Sequence, residues 1–552
     1  MFDFKGFISA LLRKKPDGPI DRLKSATIWV QELPDSDVQE ALEQIIKALS
    51  PLNDNKKTSL KERIQVLLHL DEKASGLQET LCREYLANYE DPNSPEKLFL
   101  PTILSFWEEM AESYQHCIRD FAQNPSNKKI MEMLPLLTAR AIYYYAMQAK
   151  WSYLRYMPVD THVWRNLHRL YLFAERENFA QTTLKLYPHS AEDTTPTSEY
   201  LQPLMLHLAN PESLLPKQIN MVDSWLNSWT KSISLEPNFR PQRQIYAVNL
   251  GDNKSAKKLR RNMLGEKYRY WGIGLLLVTI TKTIDQLKNG ELPIHLKLGE
   301  DCRLPACIDL IELVANRWAG KGATRKHERQ KIANIVEVVQ GMSAILESIK
   351  PGAKPTSSGR QKSKPSAEEQ HIINYQLTSI PGFTSLDETT TLSEPELFES
   401  DLNQWIMEDE SVNGYGAVFS SNGKSLLKIG TLIGLKPDNK KHFAVGIVRR
   451  INKDLSSKVH VGIQALSQTP IAVELHPMLD KTARNNTLEA IYLPETPGSE
   501  FPRCIIMPNS AYNRGQTMLL KAQGKTFSIR LQQALEQTDD FARINFDVLA
   551  KH

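Results

Sequence analysis

The hydrophobic pattern of this chain changes period along its length, and that change limits the folds open to it. Up to about residue 235 apolar side chains recur three and four positions apart; beyond about residue 400 they fall in short runs broken by turn residues. A period near 3.6 does not fit a pleated strand, nor a period of 2 a helix. The expectation is an N-terminal helical part and a C-terminal β part. In the first, Asp160 is placed to cap a helix carrying Trp164, Leu167, Tyr171 and Ala174 on one face. Leu134 to Tyr156 is another long helix, with Ala141, Tyr145 and Ala149 four apart. Ser198 precedes a further helical stretch, Glu199-Tyr200-Leu201, and Val222, Trp225, Leu226 and Trp229 share one more face. The aromatic and alanine positions resemble tetratricopeptide hairpins, but no fixed period repeats. An irregular helical bundle follows, structural or partner-docking in role.

The chain has 552 residues and a formal net charge of +4. That length exceeds what one core supports, so several domains are expected. The near-neutral balance argues against a wholesale nucleic-acid coat. No run reaches the roughly 20 apolar residues of a transmembrane helix; Gly272 to Ile280 reads as a buried helix instead. The opening Met1-Phe2-Asp3-Phe4-Lys5 lacks the order of a signal peptide. Cys82, Cys117, Cys302, Cys307 and Cys504 are odd in number and scattered, which fits free thiols in a reducing cytoplasm. Cys302 and Cys307 read as ordinary thiols, because no second ligand pair completes a metal site.

Four regions are expected: a helical domain over 1–235, an intermediate α/β segment over 236–319, a β-barrel over 320–480, and a β-rich unit over 481–552. In the second, Gln244 to Leu250 alternates as a strand, and Tyr270 to Leu287 reads as a helix ended by Asn289-Gly290. Ile332 to Val339 is a β-rich run. Pro351 to Pro365 is rich in Pro, Ser, Gly and Lys, and reads as a disordered basic tether within an insertion at about 350–399. Leu426 to Leu435, His442 to Ile451 and Lys458 to Leu466 are strands that close most simply as an antiparallel barrel. After Pro477 come Glu489 to Leu493, Arg503 to Met507, Thr517 to Ala522, Thr526 to Leu531 and Ala542 to Leu549, either a second β unit or an extension of the first.

The chemistry concentrates in Asp409-Glu410-Ser411-Val412-Asn413-Gly414, a turn between the apolar runs Trp405-Ile406-Met407 and Ala417-Val418-Phe419. A carboxylate accepts two N–H bonds from a guanine edge, a hydroxyl donates to phosphate, and glycine admits positive φ and close approach. Upstream, Arg325-Lys326-His327-Glu328-Arg329 has the form Arg-x-x-x-Arg, and with Gly320 and Gly322 before it reads as a loop ahead of a strand. The same spacing at Arg165 and Arg169 lies on a helix and reads as two solvated arginines.

Together the two motifs resemble the PilZ domain, a bacterial receptor module for cyclic di-GMP. Arg325 and Arg329 match its arginine segment; Asp409, Ser411 and Gly414 match its Asp-x-Ser-x-x-Gly turn. Gly446-Ile447-Val448-Arg449-Arg450 and Val461-Gly462-Ile463-Gln464 also look like its strands, with at least one of Arg449 and Arg450 a solvated charge. The motifs stand roughly 80 residues apart here, against a few tens in the family. Loop-closure entropy grows slowly with length, so a barrel tolerates such an insertion. The resemblance implies a cyclic di-GMP ligand held by Arg325, Arg329, Asp409, Ser411 and Gly414, with no metal and no other cofactor. Arginine forks suit guanine and phosphate as lysine cannot. The helical extension before the barrel is similar to the FimW type of effector, which implies a cytoplasmic bacterial signalling protein of surface attachment, biofilm, motility or the type IV pilus, with a protein partner on the helical region. The alternative is a ligand-independent scaffold. Enzyme readings fare poorly: Gly423-Lys424-Ser425 has Val418 where a P-loop needs glycine, Gly272-Ile273-Gly274 does not extend to a dinucleotide fingerprint, His162 and His168 belong to no His-Glu-x-x-His, and no Gly-x-Ser-x-Gly occurs. The whole is expected to be multidomain α+β.

Overall fold

The computed structural model describes residues 20, 22–34, 36–54, 58–91, 93–123, 125, 128–321, 329–350, 404–411, 413–420, 427–438, 440, 442–478, 487–495, 502–522 and 524–552. The tether, Arg325 and the Gly423-Lys424-Ser425 stretch lie outside them. Two compact units divide the chain: 1–326 with 420–429 and 450–461, and 327–419 with 430–449 and 462–552.

The first unit begins as a bundle: α1 (Leu23–Gln31), α2 (Val38–Asp54), α3 (Leu60–Ala87), α4 (Phe99–Gln123), α5 (Lys128–Met131), α6 (Leu134–Leu154), α7 (Thr161–Arg176), α8 (Pro196–Leu208) and α9 (Pro216–Trp229). Helix α6 is apolar nearly all round and is buried on nearly every face, from Leu134 to Leu154, as expected of a central helix. Each large apolar side chain it buries contributes roughly 1.5–3 kcal/mol. Asp160 caps α7 by accepting from the His162 backbone at 2.9 Å. The cap of α8 is Thr195, whose side chain accepts from the Ser198 backbone; Ser198 is inside the helix, because Pro196 fixes the first turn.

A polar network crosses this core. The Asp71 carboxylate, wholly buried, takes Arg140 Nη1 at 3.0 Å and the hydroxyls of Tyr114, Tyr144 and Tyr187. Burial pushes its carboxyl above the ordinary range, against the pull of Arg140 and the hydroxyls. Arg140 also donates through Nε to the Leu186 carbonyl at 2.9 Å.

The unit continues with a three-stranded antiparallel sheet in the order β2 (Lys257–Lys258), β1 (Tyr246–Asn249), β3 (Tyr268–Trp271), then α10 (Gly274–Lys288) and α11 (Ala306–Trp318). Tyr270 lies in β3, so the helix expected from Tyr270 starts only at Gly274; Tyr270 pairs with Ala247 across the ladder. Asn289 follows the helix and Gly290 has φ +90°, as the turn signal indicated. The cysteines of this segment are not free thiols. Cys302 and Cys307 are joined in a disulfide; a Cα–Cα distance of 5.0 Å brings together residues five apart in sequence.

From Gln330 onward the strands form two closed six-stranded antiparallel barrels, which belong to the second unit except for residues 420 and 450–461. The first is formed by β4 (Gln330–Gln340), β5 (Gln404–Ser411), β6 (Gly414–Ser420), β7 (Leu432–Pro437), β8 (Ala444–Lys453) and β9 (Lys458–Ser467), in the order β4-β5-β6-β9-β8-β7. The β4–β7 ladder closes it. A helix the sequence pattern did not separate from β4, α12 (Met342–Ile349), follows after Gly341, whose φ is +81°. The second barrel contains β10 (Ile471–Pro477), β11 (Leu488–Leu493), β12 (Cys504–Pro508), β13 (Thr517–Ala522), β14 (Lys525–Gln537) and β15 (Phe541–Lys551), in the order β10-β11-β12-β15-β14-β13. Strand β10, within the 320–480 range read as the first barrel, hydrogen-bonds instead to β11 and β13. Ile345 and Leu346 of α12 share one apolar cluster with Leu432, Val445 and Ile447 of the first barrel and Ile491, Cys504, Ile506 and Phe541 of the second.

Candidate functional site

Strand β4 places one half of the site. It pairs antiparallel with β5 on one side and β7 on the other, and its Val336 and Val338 are buried. Arg329 stands immediately before it. Because β5 runs the other way, its far end meets the start of β4: Gln330 is opposite Glu410, and Lys331 opposite Asp409. Residues far apart in sequence thus become neighbours through register alone.

The aim of the Asp409 side chain depends on a bulge. Trp405 and Met407 are buried, and strict alternation would turn Asp409 to the same face. The β5–β6 ladder slips between Met407 and Asp409, so Met407 faces Ala417 while Asp409 faces Gly416. The extra residue, Glu408, shifts the parity and brings the carboxylate out of the core. The β4–β5 ladder also slips, between Lys331 and Asn334.

The exposed carboxylate meets Arg329: Nη1 donates to Asp409 Oδ1 at 2.6 Å, with both side chains about a quarter exposed. The carboxylate lies over Gly416. A Cβ there would stand 2.6 Å from Asp409 Oδ1, so only glycine leaves room for this rotamer. Ser411 Oγ donates to the Gly414 carbonyl at 3.1 Å, closing the hairpin on itself. The turn is tied down from the neighbouring strand, where Ala465 N donates to the Asn413 carbonyl at 3.1 Å.

Gly414 plays a different part from the one its turn position suggested. It is not among the glycines of positive φ. It is needed for close packing: a Cβ at Gly414 would lie 2.4 Å from the Ile463 carbonyl oxygen of β9. Beside the turn, Lys440 Nζ bonds Glu410 Oε1 at 3.2 Å. The Arg449 guanidinium is held by protein partners: its Nε donates to Gln464 Oε1 at 2.7 Å and its Nη2 to Glu536 Oε2 at 2.8 Å. Arg450 is exposed.

The structure therefore brings Arg329, Asp409, Ser411 and Gly414 to one end of the first barrel, while Arg325 falls outside the described residues. Gly416 was missed in the sequence, although Gly414-x-Gly416 at the start of a strand was a legible sign of close approach. A guanidinium held by a carboxylate at a barrel rim presents a planar fork beside backbone polar groups, the chemistry that anionic or guanine-bearing ligands require. Among the described residues no group of His, Cys, Asp and Glu is arranged to hold a metal ion, and no helix is long and apolar enough to cross a membrane.

The fold and this site define a class: a helical region followed by paired closed barrels, with an arginine–aspartate pair at the rim of the first. Two family models match the chain. The one described as the N-terminal domain of the cyclic-di-GMP receptor FimW covers residues 24–241, and the FimW C-terminal beta-barrel domain covers residues 473–549. The chain belongs to the FimW family. No curated protein and no solved structure matches it. Strands β4 to β9, with Arg329 and Asp409, lie between the two matched stretches.

Proposed function

We propose that this chain is a cytoplasmic, non-catalytic effector that binds cyclic di-GMP at the rim of its first, PilZ-like barrel and relays it to surface attachment or the type IV pilus. The observation that carries this reading is the 2.6 Å bond between Arg329 and Asp409, 80 residues apart, because it joins the two halves of the sequence signature. Membership of a family named for a cyclic di-GMP receptor supports the ligand. Arg325 and Arg329 are assigned to phosphate and guanine, Asp409 to a guanine edge and to orienting Arg329, Ser411 to phosphate, and Gly414 to the shape of the turn. Motility and biofilm output and a protein partner on the helical bundle complete the proposal. Calorimetric titration of the full chain with cyclic di-GMP tests it. Binding is expected in the wild type and lost in a folded Arg329→Ala variant. Absence of binding across the micromolar range, or unchanged affinity in Arg329→Ala, would overturn it in favour of a ligand-independent scaffold.

A further inference from the structure

Residues 254–267 carry a basic feature that the proposed nucleotide site does not use. The stretch contains Lys254, Lys257, Lys258, Arg260, Arg261 and Lys267, and its one carboxylate is Glu266. All six bases are exposed. None of them forms an ion pair among the described residues. Arg269, two residues further on, shows the contrast: it is buried and donates through Nε to Glu175 Oε1 at 2.8 Å.

The backbone of this feature is fixed. Lys257 and Lys258 form edge strand β2, opposite Ala247 and Tyr246. Leu259 N donates to the Ile245 carbonyl at 2.8 Å, and Met263 N to the Arg260 carbonyl at 3.0 Å, closing a turn. Tyr268 N donates to the Gly265 carbonyl at 3.0 Å and returns the chain to β3. At the other end, His168 Nε2 bonds the Lys254 carbonyl at 2.9 Å, anchoring the stretch to α7. Between Arg261 and Lys267 the chain turns at Gly265, where φ is +135°, and presents Leu264, 55% exposed.

We infer that this protrusion docks on an anionic lipid bilayer, with its lysines and arginines over the headgroups and Leu264 in the interfacial layer. Charge complementarity selects an anionic partner, each base near such a surface strengthening binding about five-fold. The exposed aliphatic tip selects the bilayer among anionic partners. A phosphate backbone offers nothing to a leucine, whereas an interface accepts an apolar group flanked by bases. Charge alone or one apolar group alone gives weak association, and the pairing of the two is what stable docking requires.

The test is co-sedimentation of the full chain with vesicles of phosphatidylglycerol and phosphatidylcholine, against phosphatidylcholine alone and against duplex DNA. Binding to the anionic vesicles is expected, weakening with salt. The Arg260→Glu/Arg261→Glu pair should reduce it by about 25-fold or more, and Leu264→Asp should reduce it as well, with unchanged melting curves because these positions are exposed. If charge reversal unfolds the chain, Arg260→Gln/Arg261→Gln serves in its place, with a reduction still expected. The inference is overturned by equal binding to neutral vesicles, by no binding to anionic ones, or by affinity indifferent to these substitutions. Tighter binding to DNA that is lost in the arginine variants but not in Leu264→Asp would also overturn it, and would mark a nucleic-acid surface.

Discussion

Replacing Gly416 by alanine separates the fold of the first barrel from the organisation of its rim. The new Cβ would stand 2.6, 2.8 and 2.9 Å from Asp409 Oδ1, Cγ and Oδ2. Those atoms end a short side chain that is free to rotate toward solvent, so the strain is relieved by displacing the carboxylate. The bond to Arg329 is lost with it. Both partners are about a quarter exposed, and such a pair is worth about 0–1 kcal/mol of stability. The barrel should therefore melt nearly as the wild type does. Cyclic di-GMP affinity should fall by about tenfold, or ~1.4 kcal/mol, because Arg329 must then be ordered by the ligand itself. Gly414→Ala is the control. Its Cβ would meet the Ile463 carbonyl oxygen at 2.4 Å, and backbone cannot swing aside, so it should destabilise the unit by about 1–3 kcal/mol. Paired urea denaturation and calorimetry on both variants read the two effects. Wild-type affinity in Gly416→Ala would refute the idea that Asp409 positions Arg329 for the ligand. A parallel loss of stability and affinity in that variant would show that the contact is structural only.

Two predictions concern the helical bundle. Arg140→Met leaves the Asp71 carboxylate buried without its cation and should lower stability by about 3–5 kcal/mol, while adding Asp71→Asn should recover part of that loss in urea denaturation. Burial, with the neighbouring Glu112 and Glu108, pushes the Glu109 carboxyl up to about 7. Its ordinary value is 4.5, so its cost is absent below that pH, grows as pH rises and is complete above about 7. Glu109→Gln should raise stability by about 3 kcal/mol at alkaline pH and leave it unchanged in acid, a difference that thermal melts across that range detect.

Much of this architecture was legible in the sequence, for physical reasons that differ by element. The α7 cap at Asp160 and the long α6 were readable because local hydrogen bonding and a helical period do not depend on distant residues. The strands between Ala444 and Ser467 were readable because alternation and turn residues mark their ends. Tyr270 was misread as helical because an apolar aromatic run fits either element, and only pairing with β1 decides. Helix α12 was hidden in the apolar run after β4, where Gly341 was the sole break. The site was half legible. The residue types of the two motifs were plain, but the bulge at Glu408 that turns Asp409 outward is a property of register with β6, which no window of sequence contains. The free-thiol reading of Cys302 and Cys307 failed because it rested on counting cysteines, whereas pairing depends on how the chain folds back over five residues.

The cluster around α12 has a consequence for how this protein can be divided. Ile345 and Leu346 rest against side chains of both barrels at once. Cutting the chain between Ser467 and Ile471 would leave α12 on the first barrel but part it from Ile491, Cys504, Ile506 and Phe541, and so expose apolar side chains on both halves. The two barrels thus share one apolar seam, and either one expressed alone should need polar replacements along that seam to stay soluble.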